Sequence, residues 1–61
     1  MNYVIMKEED GKRFSYAEKI SRNINLAVYI KDRPWIKVML PVRSMKEAEE
    51  IAKVWNAAQS A

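Results

Sequence analysis

The apolar residues of this chain change their spacing once, at Ser44, and that single change limits what the chain can fold into. Upstream, large apolar residues alternate with polar ones, the period of a strand with one buried face. Downstream they recur three and four apart, the period of a helix with one buried stripe. A chain of 61 residues holds one small domain, residues 1 to 61, and a domain of that size buries only about 60% of the surface its unfolded form exposes. Self-association is a natural remedy for so small a core. The composition, 49% hydrophobic and 31% charged, is that of a foldable globule and not of a disordered tail.

Residues 2 to 8, Asn2-Tyr3-Val4-Ile5-Met6-Lys7-Glu8, are rich in β-branched and aromatic side chains without helical spacing and read as a strand. Asp10-Gly11 follows; Gly11 is the only glycine and suits the positive φ of a hairpin turn. Residues 13 to 20 form the return strand, with Phe14, Tyr16 and Ile20 on one side and Arg13, Ser15, Ala17 and Lys19 on the other. Further on, Ile24, Leu26, Val28 and Ile30 alternate as the buried face of a third strand would. The same stretch also admits a short helix capped by Ser21, with Ile20, Ile24, Ala27 and Val28 at helical spacing; its β-branched content weighs for the strand. Asp32-Arg33-Pro34 marks a turn. Trp35 to Val42 then reads as a fourth strand, with Ile36, Val38, Leu40 and Val42 on one face and Trp35, Lys37, Met39 and Pro41 on the other. Pro41 suits an edge.

From Ser44 a capping box opens the helix: the Ser44 hydroxyl can accept from the Glu47 amide while Glu47 reaches back to the amide of Ser44. Ala48, Ile51, Ala52, Trp55 and Ala58 share one stripe. The expected fold is therefore α+β, a curved four-stranded antiparallel sheet followed by one C-terminal helix, in the order β-β-β-β-α.

Function is narrowed by what is missing. There is no cysteine and no histidine, which removes disulfides, thiolate metal sites, the cysteine nucleophile and the usual neutral-pH base. Ser15, Ser21 and Ser44 have no histidine to activate them, and a single glycine builds neither a P-loop nor a dinucleotide fingerprint. The apolar run Tyr3 to Met6 is far too short for a membrane span or a signal-peptide core, so a cytoplasmic protein with no membrane partner is expected.

Charge points to a surface. The net charge is +3, from 11 Lys and Arg against 8 Asp and Glu, and residues 23 to 43 carry Lys31, Arg33, Lys37 and Arg43 against Asp32 alone. One helix covers one face of a sheet. The opposite face would then mix Tyr29 and Trp35 with Lys31 and Lys37, and Lys12 and Arg13 would stand by the hairpin turn. Rings stack on bases and cations neutralise phosphates, so these residues are candidate nucleic-acid contacts. The same rings suit a dimer interface rimmed by lysine stems. A third possibility is a protein-binding adaptor that offers an open sheet edge or the aromatic face, with no DNA contact. Glu8-Glu9-Asp10 is the only acidic cluster; it reads either as a solvated turn or as oxygen ligands for a divalent cation.

The stretches Gly11-Lys12-Arg13-Phe14-Ser15-Tyr16-Ala17-Glu18-Lys19-Ile20-Ser21, Asn23-Ile24-Asn25-Leu26 and Ala48-Glu49-Glu50-Ile51-Ala52-Lys53-Val54-Trp55-Asn56 resemble small proteins carried by prophages and mobile elements of gut bacteria. Some of these are anti-CRISPR proteins similar in fold to the nucleic-acid-binding core of transcriptional positive cofactor four, which impair Cas9 by acting on DNA topology. The resemblance implies a homodimer or higher homo-oligomer with DNA as partner, a link to a host-defence protein, and metal-dependent nicking of supercoiled DNA. No resident cofactor is implied beyond that divalent metal, and Asp10 is the one candidate catalytic acid.

Overall fold

The structure is a computed structural model that describes residues 1 to 60, and the side chains of residues 1 to 59. Five elements follow in order: β1 (Asn2–Glu9), β2 (Lys12–Lys19), α1 (Leu26–Lys31), β3 (Ile36–Val42) and α2 (Met45–Ser60). The sheet has three strands in the order β2-β1-β3, with both outer strands antiparallel to β1. The class is α+β, but the expected four strands and one helix are corrected to three strands and two helices.

The hairpin forms where the Asp-Gly dipeptide places it. Asp10 and Gly11 take φ of 53° and 76°, the two positive values that a tight turn between right-twisted strands requires. Pairing runs from Asn2 with Lys19 to Glu9 with Lys12 without a break.

The corrected segment is residues 23 to 30, and topology supplies the reason. β2 and β3 both run antiparallel to β1, so they run parallel to each other. The chain leaving β2 must travel the length of the sheet before β3 can begin, and such a crossover is commonly helical. Asn25 starts the helix, its side-chain oxygen accepting from the amides of Ala27 at 3.0 Å and Val28 at 3.4 Å. The cap is thus Asn25 and not Ser21. At the far end the amides of Asp32 and Arg33 close back on Val28 and Ile30, and Pro34 prevents continuation. No residue of α1 is buried. Tyr29 pins it, packing with Tyr3, Ile5, Tyr16, Ile20, Ile36 and Met39 on one face of the sheet.

The opposite face carries α2. Here Val4, Ala48 and Ala52 form the buried cluster, joined by Ala17, Val42, Met45, Ile51 and Trp55. Small residues meet small residues, Ala48 and Ala52 of the helix beside Ala17 of β2, so helix and sheet approach closely. Ser44 caps this helix as its sequence predicts, accepting from the Glu47 amide at 3.1 Å.

A β-bulge opposite Lys7 corrects the faces of β3. Val38 pairs with Met6, yet Lys7 pairs with Ile36, so one extra residue enters β3. Val38, Leu40 and Val42 stay on the α2 side as expected, while Ile36 turns to the Tyr29 side and packs beside Met39.

Candidate functional site

The predicted ring-and-cation face is not an open sheet surface, because α1 crosses it. Tyr29 is half-buried there, and the Arg33 guanidinium lies 3.8 Å from the centre of its ring. Arg33 also donates from Nη1 to the Tyr29 carbonyl at 3.2 Å. These two residues therefore hold the crossover to the sheet. Burial raises the Tyr16 hydroxyl above the usual phenol range, and nearby Tyr29 and Glu18 add to the rise.

Of the remaining predicted contacts, Lys12, Arg13, Trp35 and Lys37 stand near the turn end of the sheet and Arg43 stands at the other end. Lys12 and Arg13 sit at the turn end of the hairpin, where Lys12 pairs with Glu9. Arg43 follows Val42 at the opposite end, where Val42 pairs with Asn2. Seven residues of strand separate those ends, a distance of about 23 Å. Lys31, Trp35 and Lys37 are exposed, and Trp35 and Lys37 stand near the turn end, where the Trp35 carbonyl accepts from the Glu8 amide at 2.8 Å and Lys37 acts on the Glu8 carboxyl.

The acidic cluster is engaged with neighbouring cations. Arg13 Nε donates to Glu8 Oε1 at 2.8 Å, and Lys7 lies 3.1 Å from Glu9. The Arg13 hydrogen bond and charge, with a smaller contribution from Lys37, hold the Glu8 carboxyl below its ordinary range. Asp10 occupies the turn itself. Among the described residues no group of three or more Asp or Glu is placed to hold a metal ion, and no helix is long and apolar enough to cross a membrane.

A different feature emerges from the two sheet edges, which the fold treats unequally. Met1 and Ile20 exchange backbone bonds at 2.9 and 2.8 Å, just before the first strand pair. By strand alternation, odd-numbered residues of β1 then bond to β2 and even-numbered residues to β3. The Glu8 amide bonding to Trp35 agrees with this. On β2 the backbone of Ser15 consequently points outward, and there Asn56 meets it. The Ser15 amide donates to Asn56 Oδ1 at 2.7 Å, and Asn56 Nδ2 donates to the Ser15 carbonyl at 2.9 Å. One side chain of α2 thus caps that edge at Ser15 with the pair of bonds a neighbouring strand would supply there.

On β3 the same alternation turns Val38, Leu40 and Val42 toward β1, and turns the Met39 amide and carbonyl outward. Pro41 falls at an outward position, where its missing N–H removes no bond to β1. Because Asn56 draws α2 over the β2 edge, the helix covers β2 and β1 and meets β3 chiefly at its C-terminal end. Val38 and Leu40 remain 40% and 37% exposed, on the sheet face that carries α2. The sequence signalled part of this through Pro41. It gave no sign that Asn56 caps the other edge at Ser15, since the contact joins residues 41 positions apart.

No protein-family model, no curated protein and no solved structure matches this chain.

Proposed function

We propose that this chain is a small protein-binding module that takes an extended segment of a partner onto the outer edge of β3. The observation that carries this reading is the inequality of the edges. The Ser15 position of β2 is closed by Asn56, whereas Met39 offers an amide and a carbonyl outward beside half-exposed Val38 and Leu40. An added strand would gain main-chain bonds from Met39, and its alternate side chains would lie against the apolar strip. Arg13 and Arg33, two of the predicted phosphate contacts, already serve Glu8 and Tyr29. DNA binding by Lys31, Lys37 and Arg43, in a dimer or alone, is the competing reading.

Panning a displayed library of random peptides against the nuclease-treated protein tests this. Enriched peptides should alternate apolar residues, slow hydrogen exchange at the Met39 amide, and lose binding to a Val38→Lys/Leu40→Lys variant. Enrichment that ignores both substitutions would refute the edge. Salt-sensitive retardation of DNA that disappears when Lys31, Lys37 and Arg43 are neutralised would favour the competing reading.

A further inference from the structure

We propose that the cavity beside the first residues of β1 is a binding site for a doubly charged phosphate group, held between Arg22 and Arg43. It stands apart from the Met39 position of the β3 edge and does not depend on strand addition there.

Strand pairing brings the two arginines together. On one flank of β1, Met1 and Ile20 exchange backbone bonds; on the other, Asn2 pairs with Val42. Arg22 follows Ile20 by two residues and Arg43 follows Val42 by one, so both leave the sheet at the same end. The strands they leave stand on either side of β1, about 9.5 Å apart. Both arginines line one open cavity of about 490 Å³, whose other walls are Met1, Asn2, Pro41 and Val42. That volume lies within the range of about 300 to 1,000 Å³ usual for small-molecule sites.

Charge sets the sign of the ligand. The chain has four arginines, and two of them are engaged, Arg13 with Glu8 and Arg33 with Tyr29. Among the described residues the side chains of the other two, Arg22 and Arg43, have neither a hydrogen bond nor an ion pair. No carboxylate lines their cavity. The larger cavity at the hairpin turn differs in this respect, because Glu8 shares its wall with Lys12 and Arg13 and opposes an entering anion.

The arrangement of donors sets the class. A carboxylate presents two oxygens in one plane and fills a single guanidinium fork. A phosphate group presents three acceptor oxygens in different directions and carries about −1.5 to −2 at pH 7, which balances two arginines. Each guanidinium then takes its own pair of oxygens. Asn2 supplies a further donor: its Nδ2 donates to the Arg43 carbonyl at 3.5 Å, and the amide has a second hydrogen for a bound oxygen. Pro41 and Val42 offer an apolar wall to the organic part of an ester.

Nitrogen-15 NMR titration at constant ionic strength, with inorganic phosphate, phenyl phosphate and benzoate as probes, tests the site. Phenyl phosphate should shift the Nε–H signals of Arg22 and Arg43 and the amides of Asn2 and Val42 saturably, with a dissociation constant of about 0.1 to 1 mM. Arg22→Gln and Arg43→Gln should each weaken binding about tenfold. Arg22→Lys and Arg43→Lys should retain only part of the affinity, since an ammonium cannot bond a phosphate through a fork. Both arginines are exposed, so circular dichroism of all four variants should match wild type. Tighter binding of phenyl phosphate than of inorganic phosphate assigns the site to an ester, and equal binding assigns it to the free ion. The proposal is overturned if neither phosphate saturates these signals below about 10 mM, if the shifts persist in Arg22→Gln/Arg43→Gln, or if benzoate binds as tightly as phenyl phosphate.

Discussion

Removing the Asn56 carboxamide should cost this protein more than any other single polar change, and the geometry gives the size. The side chain accepts from the Ser15 amide at 2.7 Å and donates to its carbonyl at 2.9 Å, with both groups partly buried. In Asn56→Ala each group loses its partner, and at about 1 kcal/mol apiece the loss is about 2 kcal/mol. A domain of 61 residues has a total stability of about 3 to 9 kcal/mol, so the variant sacrifices a large share of it. The midpoint of thermal unfolding should fall by roughly 8 to 16 °C, measured by circular dichroism at low concentration. Asn56→Asp is the sharper probe. Its carboxylate still accepts from the Ser15 amide but sets an oxygen against the Ser15 carbonyl, so the folded state favours the protonated acid and raises its pKa. The protonated acid's contribution is fully present below the unfolded pKa and lost as pH rises through the folded one. The deficit of Asn56→Asp against wild type should therefore shrink on acidification. A fall of less than about 3 °C for Asn56→Ala, or a pH-independent deficit for Asn56→Asp, would mean that water serves this edge equally well and that the cap is incidental.

Ser15 itself should tolerate loss of its hydroxyl: Ser15 is 2% exposed and its Oγ has no hydrogen-bond partner, so Ser15→Ala should be neutral or stabilise by up to about 1 kcal/mol in urea titration. Gly11→Ala should cost about 1 to 2 kcal/mol in the same assay, because φ is 76° although nothing lies within 4 Å of the new methyl. Trp55→Ala, at a half-buried position, should cost about 2 to 3 kcal/mol and bring the protein close to unfolding at 37 °C. Arg13→Gln should raise the Glu8 titration midpoint toward its ordinary 4.5, followed by carboxyl NMR. In the wild type the lowered Glu8 pKa contributes stability that is present above the unfolded value and lost as pH falls through the folded one.

How far the sequence could be read depends on the range of the interactions involved. The hairpin was legible because Asp10-Gly11 and the flanking alternation are local and agree with each other. α2 was legible because Ser44 and the Ala48 to Trp55 stripe lie within a few turns. The stretch from Ile24 to Ile30 misled because its alternation is real but buries nothing: Ile24 and Val28 are 44% and 53% exposed. What decides its state is the parallel relation of β2 and β3, a property of the whole sheet, with Asn25 as the one local hint. The bulge at Ile36 was hidden for the same reason, since an extra residue appears only against a partner strand. As for the predicted contacts, nothing local could reveal that Arg13 bonds Glu8 or that Arg33 covers Tyr29. The outer position of β3 was legible as a possibility through Pro41, but its contrast with β2 depends on Asn56.

The central place of β1 has a consequence for the order of assembly. Its first mate, β2, is joined by a two-residue turn and can zip up within about 1 to 10 μs. Its second mate lies beyond the whole crossover, and closing that longer loop carries an entropic penalty the hairpin avoids. Between the two events β1 stands bonded on one flank and bare on the other, with Val4 and Met6 turned toward vacant space. While that flank waits for Val38 and Leu40 it can accept the same segment from another molecule, so the pace of the crossover governs whether a crowded solution yields the native sheet or a swapped one.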